Sequence, residues 1–117
     1  MSNMKAFTDI NQSKKLAEIL PIESADMGWY YSRNPQAARN QMWVGTKAEN
    51  ADIPCWSLAA LLDYIPQVKL DSIKQYDKKL WRCCAYFASD WHNSNWCDNP
   101  VDACYEMILK LHELKML

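Results

Sequence analysis

Asn99-Pro100-Val101-Asp102-Ala103-Cys104-Tyr105-Glu106-Met107-Ile108-Leu109-Lys110-Leu111-His112-Glu113-Leu114 sets apolar side chains at Val101, Cys104, Met107, Ile108, Leu111 and Leu114. Steps of three and four residues between most of them predict an amphipathic helix from residue 99 to about 115, with one continuous apolar face. Asn99 is its expected cap, Pro100 suits the first helical position, and Asp102 complements the positive end of the helix dipole. His112 falls at the border of the face, where its ring can reach water. Such a helix needs an apolar surface to cover.

The chain just before it supplies one. Residues 68–96 read as a three-stranded meander with strands at 72–76, 80–88 and 90–96. The middle strand carries Trp81, Cys83, Ala85 and Phe87 at odd positions, while Arg82 and Tyr86 interrupt the other set. Alternation therefore sends the odd set to the core and turns the adjacent Cys83 and Cys84 to opposite faces.

Further upstream, Ile53-Pro54-Cys55-Trp56-Ser57-Leu58 opens a short helix that Ser57 can cap. Trp56 before the cap and Leu61 after it have the spacing of a hydrophobic staple. Leu58, Leu61, Leu62 and Ile65 form its buried stripe, and Pro66 ends it. Two aromatic runs, Met27-Gly28-Trp29-Tyr30-Tyr31-Ser32 and Gln41-Met42-Trp43-Val44-Gly45, read as a hairpin with a long polar loop over 33–40. A first helix is expected over 8–20, with Thr8 as cap and Pro21 as stop. The expected fold is α+β: a small, mainly antiparallel sheet, built of a hairpin plus a three-stranded meander, packed by a central short helix and a long C-terminal helix.

The 117 residues suit a single domain, 1–117, and the 50% hydrophobic content is that of a globular chain. Thirteen Lys and Arg against fourteen Asp and Glu leave a net charge of -1, so there is no general field to draw a polyphosphate, and nucleic acid is not an expected partner. Lys14-Lys15 and Lys78-Lys79 are pairs rather than clusters, as on a solvated helix face or turn. Residues 1–8 lack the apolar run of a signal peptide, and no stretch approaches a membrane span. A cytoplasmic protein without a membrane partner is expected. Its five cysteines, an odd number at low density, are expected to be reduced and mostly buried. With only Gly28 and Gly45, a glycine-rich phosphate loop is excluded, and no cofactor is expected.

Cys83 or Cys84 with His92, Cys97 and Cys104 would be the ligand set for a tetrahedral metal, but there is no C-x-x-C pair and Cys104 belongs to the helical core stripe. No metal is expected there. Cys97 and His92, five residues apart, are the one thiol and base pair suited to nucleophilic catalysis; the alternative is a loop cysteine beside a turn histidine. Asp98 and Asp102 flank a helix N-terminus, where acidic residues are favoured without any catalytic role. The aromatic residues weigh more. Trp91 and Trp96 bracket His-Asn-Ser-Asn, and Trp29, Tyr30 and Tyr31 are consecutive, so alternation turns at least one of those three away from the core. Such side chains either cover the sheet or meet another protein.

The phrases Ile53-Pro54-Cys55-Trp56-Ser57-Leu58-Ala59-Ala60-Leu61-Leu62, the run over 99–114 quoted above and Ala25-Asp26-Met27 resemble a group of small uncharacterised proteins of prophages and mobile elements in gut anaerobes. The resemblance spans nearly the whole chain. It implies a fold and a genomic setting, and it brings no catalytic residues. The resulting expectation is a non-catalytic accessory or interaction protein, using Trp29, Tyr30, Tyr31, Trp91 and Trp96 to meet a protein partner or a second copy. The rival expectation is a small thiol- or metal-dependent enzyme using Cys97 and His92.

Overall fold

The computed structural model describes residues 4–31, 42–46 and 50–116. They fall into two compact units, Phe7–Ala60 on the one hand and Leu61–Leu117 with Met1–Ala6 on the other. The fold is α+β with two three-stranded antiparallel sheets, and a long C-terminal helix closes the chain.

In the unit Phe7–Ala60, helix α1 spans Ile10–Ala17. Its cap is Asp9 and not Thr8. The Asp9 carboxylate accepts the Gln12 N–H at 2.7 Å, and the Gln12 side chain accepts the Asp9 N–H at 3.1 Å, a reciprocal capping box. Thr8 is instead fully buried, with its hydroxyl 2.7 Å from that of Ser13 and accepting the Trp56 N–H at 3.2 Å. The helix also stops earlier than residue 20, with Glu18 as its C-cap.

Strands β1 (Met27–Tyr31), β2 (Met42–Thr46) and β3 (Ile53–Cys55) form a sheet in the order β2-β1-β3. β1 and β2 are the expected antiparallel pair, in register from Met27↔Thr46 to Tyr31↔Met42. Ser32, Gln41 and the loop expected over 33–40 lie outside the described residues. β3 departs from expectation, since Ile53 to Cys55 pair with β1 instead of opening a helix. Pro54 lacks an N–H and is tolerated because β3 is an edge strand. Helix α2, Leu58–Tyr64, begins only after Ser57, whose hydroxyl accepts the Ala60 N–H at 3.2 Å as the cap predicted.

In the other unit, β4 (Val68–Gln75), β5 (Lys78–Phe87) and β6 (Asp90–Asn93) make the meander, ordered β4-β5-β6. β4 starts at Val68, earlier than expected, and β6 ends at Asn93, before 96. Both hairpin turns have two residues, and Tyr76, Ala88 and Ser89 adopt positive φ in them. Helix α3, Pro100–Glu113, packs on β5. Asn99 caps it, accepting the Asp102 N–H at 2.8 Å. Val101, Cys104, Met107, Ile108 and Leu111 are fully buried on the apolar face, as are Cys83 and Ala85 of β5. Leu114 does not join that face; it is the C-cap residue and is exposed.

Candidate functional site

The odd positions of β5 turn toward α3, so the even positions build the opposite face of this sheet. Register places Lys69 beside Cys84, Asp71 beside Arg82 and Ile73 beside Leu80 on that face, with Tyr86 beside Trp91 across the β5–β6 seam. Trp96 joins them through an irregularity. Cys84 pairs with Asn93 and Trp81 with Cys97, so three steps along β5 are matched by four on the other strand. One residue is extra, a β-bulge. Ser94 occupies it, donating its N–H to the Cys83 carbonyl at 2.9 Å and accepting the Cys83 N–H on its hydroxyl at 3.0 Å. Without the bulge, alternation would put Trp91 and Trp96 on opposite faces. With it, Trp96 stands over Arg82, and Cys97 shares the face of Trp81.

Tyr86 (36% exposed), Trp91 (48%), Trp96 (37%) and Ile73 (41%) thus share an open face. Cations lie on its indoles. The Lys69 ammonium sits 5.2 Å from the Trp91 ring centre and the Arg82 guanidinium 4.6 Å from that of Trp96, within cation–π range. Tyr86 meets Trp91 edge-on at 5.3 Å. Asp71 ties the two halves together: it accepts from Arg82 at 2.9 Å, stands 3.9 Å from the Lys69 ammonium, and accepts the Cys84 thiol at 3.4 Å. The hydrogen bond from Arg82 holds the Asp71 carboxyl below its ordinary range, and burial, followed by Asp71, pushes the Cys84 thiol up. The result is a face of exposed aromatic rings held in place by fixed charges.

Trp29, Tyr30 and Tyr31 have other surroundings, in the unit Phe7–Ala60. Trp29 donates its indole N–H to the Thr8 carbonyl at 3.2 Å and meets Phe7 edge-on at 5.8 Å. Tyr30, on the opposite face, stacks on Trp43 at 4.5 Å. Tyr31 ends the strand and is exposed. Alternation thus turns Tyr30 away from Trp29 and Tyr31.

Cys97 and His92 are not brought together. Their partners on β5, Trp81 and Ala85, stand four residues apart, about 13 Å along a strand. His92 places Nε2 3.3 Å from the Phe87 carbonyl, whereas the Cys97 thiol donates to Glu106 at 2.7 Å. Burial, followed by Glu106 and the nearby Asp102 and Asp98, pushes that thiol up to about 12, the reverse of what a thiolate nucleophile requires. Cys83 is also pushed up, first by its hydrogen bond with Cys104 and then by burial. Among the described residues no group of three or more His, Cys, Asp or Glu is placed to hold a metal ion, and no helix is long and apolar enough to cross a membrane.

The sequence pointed to Trp91 and Trp96 but missed Lys69, Asp71, Arg82 and Tyr86. Arg82 and Tyr86 were visible as breaks in the apolar alternation of β5; Lys69 and Asp71 carried no signal until β4 was known to start at Val68. No family model, curated protein or solved structure matches this chain.

Proposed function

We propose that this chain is a non-catalytic interaction protein of the phage or mobile-element type that its sequence resembles, acting in the cytoplasm, and that it meets a protein partner through the outer face of the β4-β5-β6 sheet. The observation that carries the reading is the gathering of Tyr86, Trp91, Trp96 and Ile73 on one open face, with Lys69 and Arg82 against the indoles. Exposed tryptophan, tyrosine and arginine are the side chains that dominate binding energy at protein interfaces. Asp71 neutralises only part of the positive charge, so a partner segment offering carboxylates beside apolar side chains fits best.

Cross-linking in the native host from a photoreactive residue at position 73 tests this. A protein adduct is expected in the wild type and in a Trp43→Ala control, and is expected to disappear in Trp91→Ala/Trp96→Ala while circular dichroism stays unchanged. Adducts unaffected by the double substitution, or adducts to nucleic acid alone, would overturn the proposal.

A further inference from the structure

β4 is the terminal strand of its sheet, eight residues long, and residues 72–75 are all exposed. Its ladder with β5 has a definite phase. The Tyr86 N–H bonds the Gln67 carbonyl at 3.3 Å, so the odd-numbered residues of β4 exchange hydrogen bonds with β5. The N–H and C=O groups of Val68, Leu70, Ser72 and Lys74 consequently point away from β5, along the sheet edge. Rows of this kind accept another strand by simple addition.

We infer that this edge pairs antiparallel with β4 of a second copy, about a two-fold axis midway between the two Leu70 residues, to make a continuous six-stranded sheet. A two-fold interface requires a strand that complements itself when reversed. Lys69-Leu70-Asp71 does so: centred on Leu70, Lys69 of each copy faces Asp71 of the other across a non-hydrogen-bonded pair, where side chains approach most closely. Leu70 meets Leu70, and Val68 meets Ser72, each through outward-pointing backbone groups. Moving the centre to Asp71 opposes two aspartates, and moving it to Lys69 opposes two lysines. The charges thus select one register among these neighbours. The pairing goes beyond the proposed function, because its hydrogen bonds belong to the edge while Lys69 and Asp71 of the outer face only set its register, and it would set two outer faces side by side.

Ser72→Pro is the decisive variant. Ser72 is exposed and its N–H belongs to the free edge, so proline spares the ladder with β5 but removes a donor from the dimer. In a sedimentation series the wild type is expected to rise toward the mass of two chains, while Ser72→Pro stays at one with unchanged circular dichroism. Hydrogen exchange on the wild type supplies a readout that does not depend on the variant folding: the Leu70 and Ser72 amides are expected to slow at least tenfold as concentration rises. A single-chain mass at all concentrations, or a dimer whose Leu70 and Ser72 amides exchange at a concentration-independent rate, would overturn the inference.

Discussion

The two sheets are alike in strand number and antiparallel pairing, and both carry exposed aromatic residues, yet they support those rings in different ways. In β2-β1-β3 ring rests on ring, and Trp43 stays 54% exposed. Gly28 and Gly45 face each other directly, and Tyr30 and Trp43, the next pair on the same face, stack alongside the gap. A Cβ on Gly45 would lie 2.9 Å from the Trp43 ring, and one on Gly28 would collide with the Ala51 side chain. Gly45 therefore leaves room for the Trp43 ring and Gly28 for the Ala51 side chain, and neither serves to bend a loop. In β4-β5-β6 the corresponding outer face has no such gap, and its rings project outward with cations against them. What differs between the sheets is the support each exposed ring receives, a stacked tyrosine in one and a cation in the other.

That contrast predicts where substitutions will hurt. The largest effect belongs to Trp56, fully buried in the unit of the first sheet with its indole N–H donated to Ser24 at 2.9 Å. Trp56→Ala is expected to cost about 3–5 kcal/mol in chemical denaturation, from lost apolar area and the cavity left behind. A cost below ~1 kcal/mol would show that the site collapses around the deletion. Gly28→Ala comes next, at roughly 1–3 kcal/mol, because a single added methyl must displace Ala51 in a packed sheet. Crystallography of that variant should show β1 displaced from Ala51.

Trp91→Ala and Trp96→Ala should each cost no more than ~1 kcal/mol, the scale of a surface cation–π contact. Their partner binding should nevertheless fall. If either substitution unfolded the protein as Trp56→Ala is expected to, the outer face would be structural like the first sheet, and the contrast would fail.

Much of this was legible beforehand. The periodicity of α3, its Asn99 cap, the Ser57 cap and the alternation of β5 are local features, set by side chains within a few residues of one another, and they appear where the pattern places them. The misses are of another kind. β3 forms because Ile53 to Cys55 find β1, a pairing across 28 positions at Met27↔Cys55 that no local pattern carries. Asp9 displaces Thr8 as a cap because Trp56 claims the Thr8 hydroxyl. The bulge at Ser94 reverses the facing of Trp96 and Cys97, and so brings Trp96 onto the face of Trp91. Cys97 and His92 share the other face but stay apart, because their partners on β5 stand four residues from each other.

A weaker effect concerns pH. Burial, followed by Glu106, pushes the Cys97 thiol up from 9.0 to about 12, so folding favours its protonated form. Its contribution to stability is complete below pH 9 and is lost as pH rises from 9 to 12. The side chain is partly exposed, and solvent screening keeps the contribution small. Denaturation of the wild type and of Cys97→Ser at pH 7, 9 and 10.5 should show the wild type losing more stability above pH 9. Parallel curves would mean that burial and Glu106 do not hold the thiol protonated.

The smallest effect lies in the turn joining β5 to β6, where Ala88 and Ser89 sit at φ of 56° and 64°. A non-glycine residue in this left-handed region bears a steric penalty of roughly 1–2 kcal/mol from its Cβ. Glycine removes that penalty but costs about 0.5–1 kcal/mol in additional chain entropy. Ser89→Gly is therefore expected to stabilise the protein by less than ~1 kcal/mol, and because the turn sets the start of β6 it should leave the exposure of Trp91 unchanged. Thermal unfolding with tryptophan fluorescence reads both quantities together. A stabilised variant with an unshifted emission maximum is the expected outcome; destabilisation would show that Ser89 does not occupy the left-handed region, and the two-residue turn that aligns Trp91 with Tyr86 would have to be redrawn.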